Sequence, residues 1–206
     1  MALIQKRLKD KEVLVISENL IESFLLRPLV TLSNKEEEAF NRISNESRKR
    51  EFLKQRYLIQ QHISALPKLV HNSDGKPSLS NGSRISITHS HGQMALMVHP
   101  EKEVGIDLQV ISKKLLKIAK RFMHESELEQ WNAGSLRSLH IYWCAKEALY
   151  KYASKPGISF KNEMRVRVFG EGISSAEFVN RKGQWEQVNL EVLHLSNSVL
   201  VKTLSL

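Results

Sequence analysis

Twice along this chain a stretch of helical periodicity gives way to short, β-prone segments, and that order is what most limits the folds open to it. From Glu36 to Leu66, Phe40, Ile43, Phe52, Leu53, Leu58, Ile59, Ile63 and Leu66 recur with helical spacing, and Pro67 ends the run. A turn follows at Asn72-Ser73-Asp74-Gly75-Lys76-Pro77. Three strand candidates come next, Arg84–Thr88, Met94–Val98 and Val104–Leu108. Their connections, Ser90-His91-Gly92-Gln93 and His99-Pro100-Glu101-Lys102, are of hairpin size. The second half repeats the order. Lys113–Trp131 and Leu136–Ala153 read as helical, Pro156-Gly157 breaks the pattern, and strands are expected at Met164–Phe169, Ala176–Asn180, Trp185–His194 and Val199–Leu204. The expected fold is α+β. Two similar halves, residues 1–105 and 106–206, each pack helices on antiparallel sheet and form a pseudo-dimer with a ligand cleft between them. The similarity lies in the order of elements; no residue-level repeat accompanies it.

A chain of 206 residues, 41% apolar and 26% charged, can bury a real core and has the balance of a globular protein. No apolar run approaches the ~20 residues of a membrane helix. The charges Lys6, Arg7, Lys9, Asp10, Lys11 and Glu12 are not followed by a signal-peptide core, so a cytoplasmic protein is expected. The single cysteine, Cys144, excludes an internal disulfide and a multi-thiolate metal centre. The net charge of +9 is shared, with 16 basic and 12 acidic residues up to position 105 and 15 and 10 beyond it. It is therefore no basic tail. It suits an anionic ligand, an acidic protein partner, nucleic acid, or solubility alone.

Two segments stand out chemically. Trp143-Cys144-Ala145-Lys146-Glu147-Ala148-Leu149-Tyr150-Lys151 sets a carboxylate and two ammonium groups on one helical stretch, with Trp143, Glu147 and Lys151 on a common face. Val104-Gly105-Ile106-Asp107-Leu108 sets a lone acid in an apolar strand pattern, where an unpaired carboxylate is costly. The two acids could hold Mg²⁺ before a phosphate-rich ligand. Equally, Glu147 with Lys151 could be an exposed ion pair, and Asp107 could end the strand or cap the segment that starts at Ser112. Thr88-His89-Ser90-His91-Gly92 offers hydroxyls, imidazoles and turn amides for a phosphate, with zinc on His89 and His91 only weakly indicated. Gly75-Lys76-Pro77 holds a lysine on a rigid turn. Arg48–Arg56 is a basic helical stretch that could face nucleic acid, a phosphate or water.

Together these segments resemble the 4′-phosphopantetheinyl transferases of the larger, surfactin-synthetase-activating type. Trp143–Lys151 matches the family's aromatic-Ser/Thr/Cys-x-Lys-Glu-Ala/Ser-x-x-Lys helix throughout, and Gly105-Ile106-Asp107 its Gly-Ile/Val-Asp strand. Gly75-Lys76-Pro77 matches its Gly-Lys-Pro turn, and Thr88-His89-Ser90 approximates its Ser-His-Ser turn. Ala119-Lys120-Arg121-Phe122 with Glu127 matches its intervening helix, and Phe52-Leu53-Lys54-Gln55-Arg56 its early Phe-Leu-x-Gly-Arg helix, with Gln55 in place of glycine. The resemblance runs from about residue 48 to 155. Many members carry a glutamate two residues after the aspartate as a third metal ligand; here it is Gln109.

The resemblance implies a transfer of the phosphopantetheine arm of coenzyme A to a serine of an apo carrier protein, with release of 3′,5′-ADP. It implies Mg²⁺ on Asp107 and Glu147, with Gln109 ligating directly or through water. Asp107, Glu147 and Lys151 carry catalysis, Glu147 as the base for the serine proton. Lys146 and Lys151 contact the phosphates; Arg56, Lys76, Pro77, Thr88 and His89 bind the coenzyme A nucleotide. The implied partners are coenzyme A and an acidic acyl or peptidyl carrier protein, with no nucleic acid and no membrane. A pseudo-dimeric chain has less need of a second copy, so a monomer is expected. Two other readings stay open: a basic nucleic-acid-binding module, and a catalytically weak relative that binds coenzyme A or a carrier.

Overall fold

The computed structural model describes residues 3–7, 11–18, 21–64, 67–72, 75–169 and 172–204. The end of the first expected helix at Ala65-Leu66 and the Ser73-Asp74 pair of the expected turn lie outside the described residues. Strands β1 (Leu3–Arg7), β2 (Val13–Ser17), β3 (Leu69–His71), β4 (Pro77–Leu79), β5 (Arg84–Ser90) and β6 (Gln93–His99) form one antiparallel sheet in the order β1-β2-β6-β5-β4-β3. Strand β7 (Ile106–Val110) joins β11 (Leu190–His194) and β12 (Ser198–Thr203) in a sheet ordered β11-β12-β7. Strands β8 (Met164–Phe169), β9 (Gly172–Val179) and β10 (Trp185–Gln187) form a third, ordered β10-β9-β8. The helices are α1 (Ser23–Leu26), α2 (Asn34–Asn41), α3 (Glu46–His62), α4 (Ala119–Phe122), α5 (Glu125–Trp131) and α6 (Leu136–Ala153). The class is α+β, as expected. The strand orders on the two sides of residue 105 differ: one six-stranded sheet before it, two three-stranded sheets after it.

Helix α6, β8 and the β5–β6 hairpin stand close to where periodicity puts them. Two long helical runs do not. The run from Glu36 is two helices, because Asn45 adopts extended backbone and its side chain accepts from Arg48 N at 3.0 Å, starting α3 afresh. The run from Lys113 is a 3₁₀ turn, α4 and α5, because Met123 is extended and a His124–Glu127 capping box begins α5. The pair β1–β2 precedes the first element that the sequence suggested. The four-residue connection of the hairpin tightens to His91-Gly92, both at positive φ (47° and 84°), which is what a two-residue turn of matching twist requires.

All seven residues of β6 are buried, and its two faces serve two cores. Met94, Leu96 and Val98 pack with Leu58 and Ile59 of α3 and with Ile63 just after it. Ala95 and Met97 pack with Ile106, Leu108 and Leu200. The six-stranded sheet is thus sandwiched between α3 and the sheet containing β7. On the far side of that sheet Val199 and Val201 join α6 and the inner face of β8 in the largest core.

Strand β7 is joined to β5 by side chains. One edge of β7 pairs with β12; on the other, the amides of Ile106, Leu108 and Val110 donate to the hydroxyls of Ser86, Thr88 and Ser90, each at 3.1 Å. Three alternate hydroxyls of β5 thereby satisfy an edge that would otherwise bury unpaired donors. Just before β7, Gly105 lets α6 lie directly on the chain. A Cβ there would sit 2.1 Å from the Ala148 carbonyl oxygen and 3.0 Å from Tyr152 Cβ. A backbone oxygen cannot swing aside, so Gly105→Ala is expected to destabilise by about 3 kcal/mol or more, at the top of the overpacking range. Thermal unfolding should show the loss, together with reduced activity at temperatures where the variant is still folded.

Candidate active site

Ile106 and Leu108 point into the core between the sheets, so Asp107, between them, points the other way, toward α6. It is 3% exposed. Its Oδ1 accepts from Thr88 Oγ1 and from Lys151 Nζ, both at 2.8 Å, and Lys151 Nζ also donates to the Ile106 carbonyl at 2.8 Å. Asp107 Oδ2 is buried and accepts no ordinary hydrogen bond from a described residue; the Cys144 thiol lies close by, and burial together with the Asp107 carboxylate pushes its pKa up. Lys151 therefore pairs across to the strand rather than along its own helix with Glu147, and Asp107 lies inside β7 rather than capping; the Ser112 amide donates instead to His140 Nε2.

Glu147 lies one turn before Lys151. No hydrogen bond or ion pair joins it to another described residue. Burial pushes its pKa up to about 7, the charge of Asp107 pushes the same way, and Lys151 opposes both. Two hard oxygen donors thus face a common region, one with an orphaned buried oxygen and one disfavoured as an anion. That donor set fits Mg²⁺, which commonly takes one or two carboxylates and completes its shell with water and phosphate oxygens. No group of three or more His, Cys, Asp or Glu with metal-binding geometry occurs among the described residues, so His89 and His91 do not form a zinc site there. Gln109 shares the Asp107 face of β7 by alternation, and its Oε1 accepts from Ser90 Oγ at 3.3 Å.

This environment has a measurable consequence. Folding raises the Glu147 pKa from 4.5 to about 7, so between those values the folded state holds a proton that the unfolded state releases. The contribution of Glu147 to stability is therefore lost as pH rises from 4.5 through 7. Glu147→Gln should raise the melting temperature of the metal-free protein at pH 8 and give no such gain at pH 4.5. Melting curves of both proteins in chelator at the two pH values check the sign.

Beside the carboxylates lies a cavity of about 230 Å³ between the Gly75–Pro77 turn, β5 and the end of α6. Lys76, Pro77 and Lys151 all line it, with Ser86 and Ile87 from β5, Tyr150 from α6 and Ser154 just after that helix. The Lys76 ammonium donates to Ser154 Oγ and to the Glu103 carboxylate. Tyr150 and Ser154 were not suggested by the sequence, although the α6 register that selects Glu147 and Lys151 also carries Tyr150 to the cavity rim.

The structure thus brings together Asp107, Thr88, Glu147, Lys151, Lys76 and Pro77. Three expected ligands stand elsewhere. Lys146 is fully buried, donating to Glu127 at 2.6 Å and to the carbonyls of Phe122, Phe160 and Met164 at 2.9, 2.8 and 3.4 Å. Lys146 therefore points away from the Asp107 and Lys151 pair: adjacent helical residues project about 100° apart, and Glu147 is the one that turns toward it. Arg56 is buried against Glu36 at 2.8 Å and stacks 3.3 Å from the Phe52 ring centre, in a hollow separate from the Lys76 cavity. His89 projects from β5 opposite to Thr88 and meets Glu51 at 3.4 Å.

Residues 103–200 match the 4′-phosphopantetheinyl transferase superfamily. A Synechocystis sp. protein provisionally named a 4′-phosphopantetheinyl transferase is 34% identical over 117 residues, 50% of this chain and 47% of that protein. The 4′-phosphopantetheinyl transferase AcpT of Salmonella typhi is 30% identical over 112 residues, 50% of this chain and 58% of that protein, and its Salmonella typhimurium counterpart matches equally. The chain spans about half the length of the curated relatives it matches. The superfamily match covers Asp107, Gln109, Glu147 and Lys151.

Proposed function

We propose that this chain is a 4′-phosphopantetheinyl transferase, the enzyme class that its residues 103–200 resemble, and that it moves the phosphopantetheine arm of coenzyme A onto a serine of an apo carrier protein. The observation that carries this reading is the Asp107–Lys151 pair, with Glu147 close enough to feel both charges, reached from a cavity that Lys151 and Lys76 both line. The division near residue 105 makes the site a junction: Lys76, Thr88 and Ser86 come from before it, the two acids and Lys151 from after it.

In the proposed reaction the serine oxygen bonds to the β-phosphorus, the bond from that phosphorus to the bridging oxygen breaks, and 3′,5′-ADP leaves with the oxygen. Such a transfer asks mainly for positioning and charge stabilisation. Mg²⁺ held by Asp107 and Glu147 would supply a Lewis acid for the pyrophosphate oxygens. Thr88 and Lys151 fix Asp107 on one oxygen and leave the other without an ordinary hydrogen-bond donor among the described residues. Glu147 would accept the serine proton, directly or through a water that it positions. Lys151, at the cavity edge, offsets negative charge as it shifts to the leaving phosphate. Lys76 and Pro77 receive the nucleotide end. The net charge of +9 favours encounter with an acidic carrier.

The nucleic-acid reading draws less support from the basic stretch than its composition suggests. Along Arg48–Arg56, Arg50 pairs with Glu22, Lys54 is buried and donates to the Gly92 carbonyl, and Arg56 is buried against Glu36. Three of its five basic side chains are thus tied to the protein, while Arg48 stays exposed.

Incubation with coenzyme A, Mg²⁺ and a panel of apo carriers, followed by mass spectrometry, tests the proposal; no added arm on any carrier would sink it. Lys151→Ala is expected to lower kcat by tenfold or more with little change in KM for coenzyme A. Lys76→Ala should mainly raise that KM, since a nucleotide contact kept through the reaction contributes equally to ground and transition states. Steady-state kinetics of the two variants separate these roles.

A further inference from the structure

Cys144 carries the single thiol of the chain and is fully buried on α6, on the side that lies over β12 and β7. Its Sγ stands 3.6 Å from the Val199 carbonyl oxygen, within donor range for sulfur, and close enough to Asp107 for the S–H to reach that carboxylate as well. Val199 and Val201 of β12 pair with Gln109 and Asp107 of β7, so the two acceptors sit on neighbouring strands beneath one helix. Burial and the charges of Asp107 and Glu147 hold the group as a thiol, against Lys151, so it is a donor. A thiol has one proton to give, and rotation about Cβ–Sγ lets one sulfur position serve either acceptor. Asp107 Oδ2, the carboxylate oxygen with no ordinary donor, is the needier of the two.

We infer that Cys144 is a positioning residue for Asp107: its S–H is directed at Oδ2 while the metal site is empty and rotates to the Val199 carbonyl when Mg²⁺ takes that oxygen. This rests on the Mg²⁺ reading above and deepens it, because the side chain at position 144 then sets metal affinity without touching the metal. A bare oxygen there would leave the empty site costly, and a strong donor would have to be displaced by the incoming cation. An S–H is a weak donor, so it eases the first cost and adds little to the second. Whatever favours the empty site over the filled one weakens binding by that difference.

Calorimetric titration of Mg²⁺ into the wild type, Cys144→Ser and Cys144→Ala, with coenzyme A present and absent, tests this. Cys144→Ala should bind Mg²⁺ more tightly than wild type by roughly two- to tenfold, the scale of one net hydrogen bond that no longer has to be given up. Cys144→Ser should bind it more weakly by a similar factor, since a hydroxyl is the stronger donor. Melting temperatures separate this from packing. Cys144→Ala should lose more in chelator than at saturating Mg²⁺, whereas a packing defect alone lowers both equally and leaves Mg²⁺ affinity unchanged. The infrared S–H stretching band belongs to Cys144 alone and should move when Mg²⁺ is added to the wild type. Equal Mg²⁺ affinity in all three proteins, or an S–H band that stays in place, overturns the role of Cys144 and leaves the metal reading intact. A wild type that takes up no Mg²⁺ in either condition overturns both. If Cys144→Ala does not fold, Cys144→Ser and the wild-type S–H band decide between the same outcomes.

Discussion

Asp107→Asn should remain folded and lose at least roughly a hundredfold of transfer activity, the upper end of what even an outer-sphere change costs a metal site. The substitution is nearly isosteric. Thr88 Oγ1 can still donate to the Asn side-chain carbonyl oxygen, and Lys151 keeps the Ile106 carbonyl. What disappears is charge at Asp107 Oδ2, a buried oxygen to which no described residue donates an ordinary hydrogen bond. Glu147 should respond in a second readout. The negative charge of Asp107 helps hold its pKa up, so in metal-free Asp107→Asn the Glu147 carboxyl should titrate lower than its wild-type value of about 7. Infrared or NMR titration of the carboxyl would track it. Near-normal transfer at saturating Mg²⁺ would remove Asp107 from the site. Loss of transfer with an unshifted Glu147 would place the two acids farther apart electrostatically than the structure does.

The parts of this site that were legible in the sequence are those in which one local pattern fixes direction. In β7 the flanking Ile106 and Leu108 dictate that Asp107 turns away from the inter-sheet core, and in α6 the fourfold spacing puts Glu147 and Lys151 on one face. The Gly-Lys-Pro turn was readable for a similar reason, since turn chemistry is local. What could not be read depends on partners distant in the chain. Arg56 and Lys146 are basic residues within matched motifs, and only the fold shows that Glu36 and Glu127 claim them. The Lys151 partner, 44 residues away, displaced the neighbour on its own helix. The side-chain ladder from Ser86, Thr88 and Ser90 reads as ordinary strand alternation until β7 is laid beside it. Helix ends were misjudged where a cap such as Asn45 or His124 interrupts an otherwise continuous apolar pattern.

Lys146→Met should be the most destabilising of the substitutions considered, by about 3–5 kcal/mol, because it strands a buried carboxylate. Glu127 is 2% exposed and accepts from Lys146 Nζ, from the Val166 amide at 2.8 Å and from the His124 amide at 2.7 Å. It thereby ties α5 to α6 and β8. Burial pushes the Lys146 pKa down to about 8 although Glu127 pulls it up, so the ammonium is held against its own desolvation. Removing the ammonium alone leaves the buried Glu127 carboxylate without its ion-pair partner, and Arg165 acts on it only from the side of the hollow they share. Removing both charges is different. Lys146→Met combined with Glu127→Leu trades a buried ion pair for apolar volume, and such exchanges are often neutral or stabilising. The double variant should therefore recover much of the loss, less whatever the Val166 and His124 amides forfeit as donors. Denaturant unfolding of the two single variants and the double measures the coupling. Transfer activity then decides the position of Lys146. If it is an internal tie, kcat and KM per folded molecule in the double variant should stay near wild type, because no nitrogen of Lys146 reaches the cavity. A selective fall in kcat in a fully folded double variant would instead put the lysine back beside the phosphates.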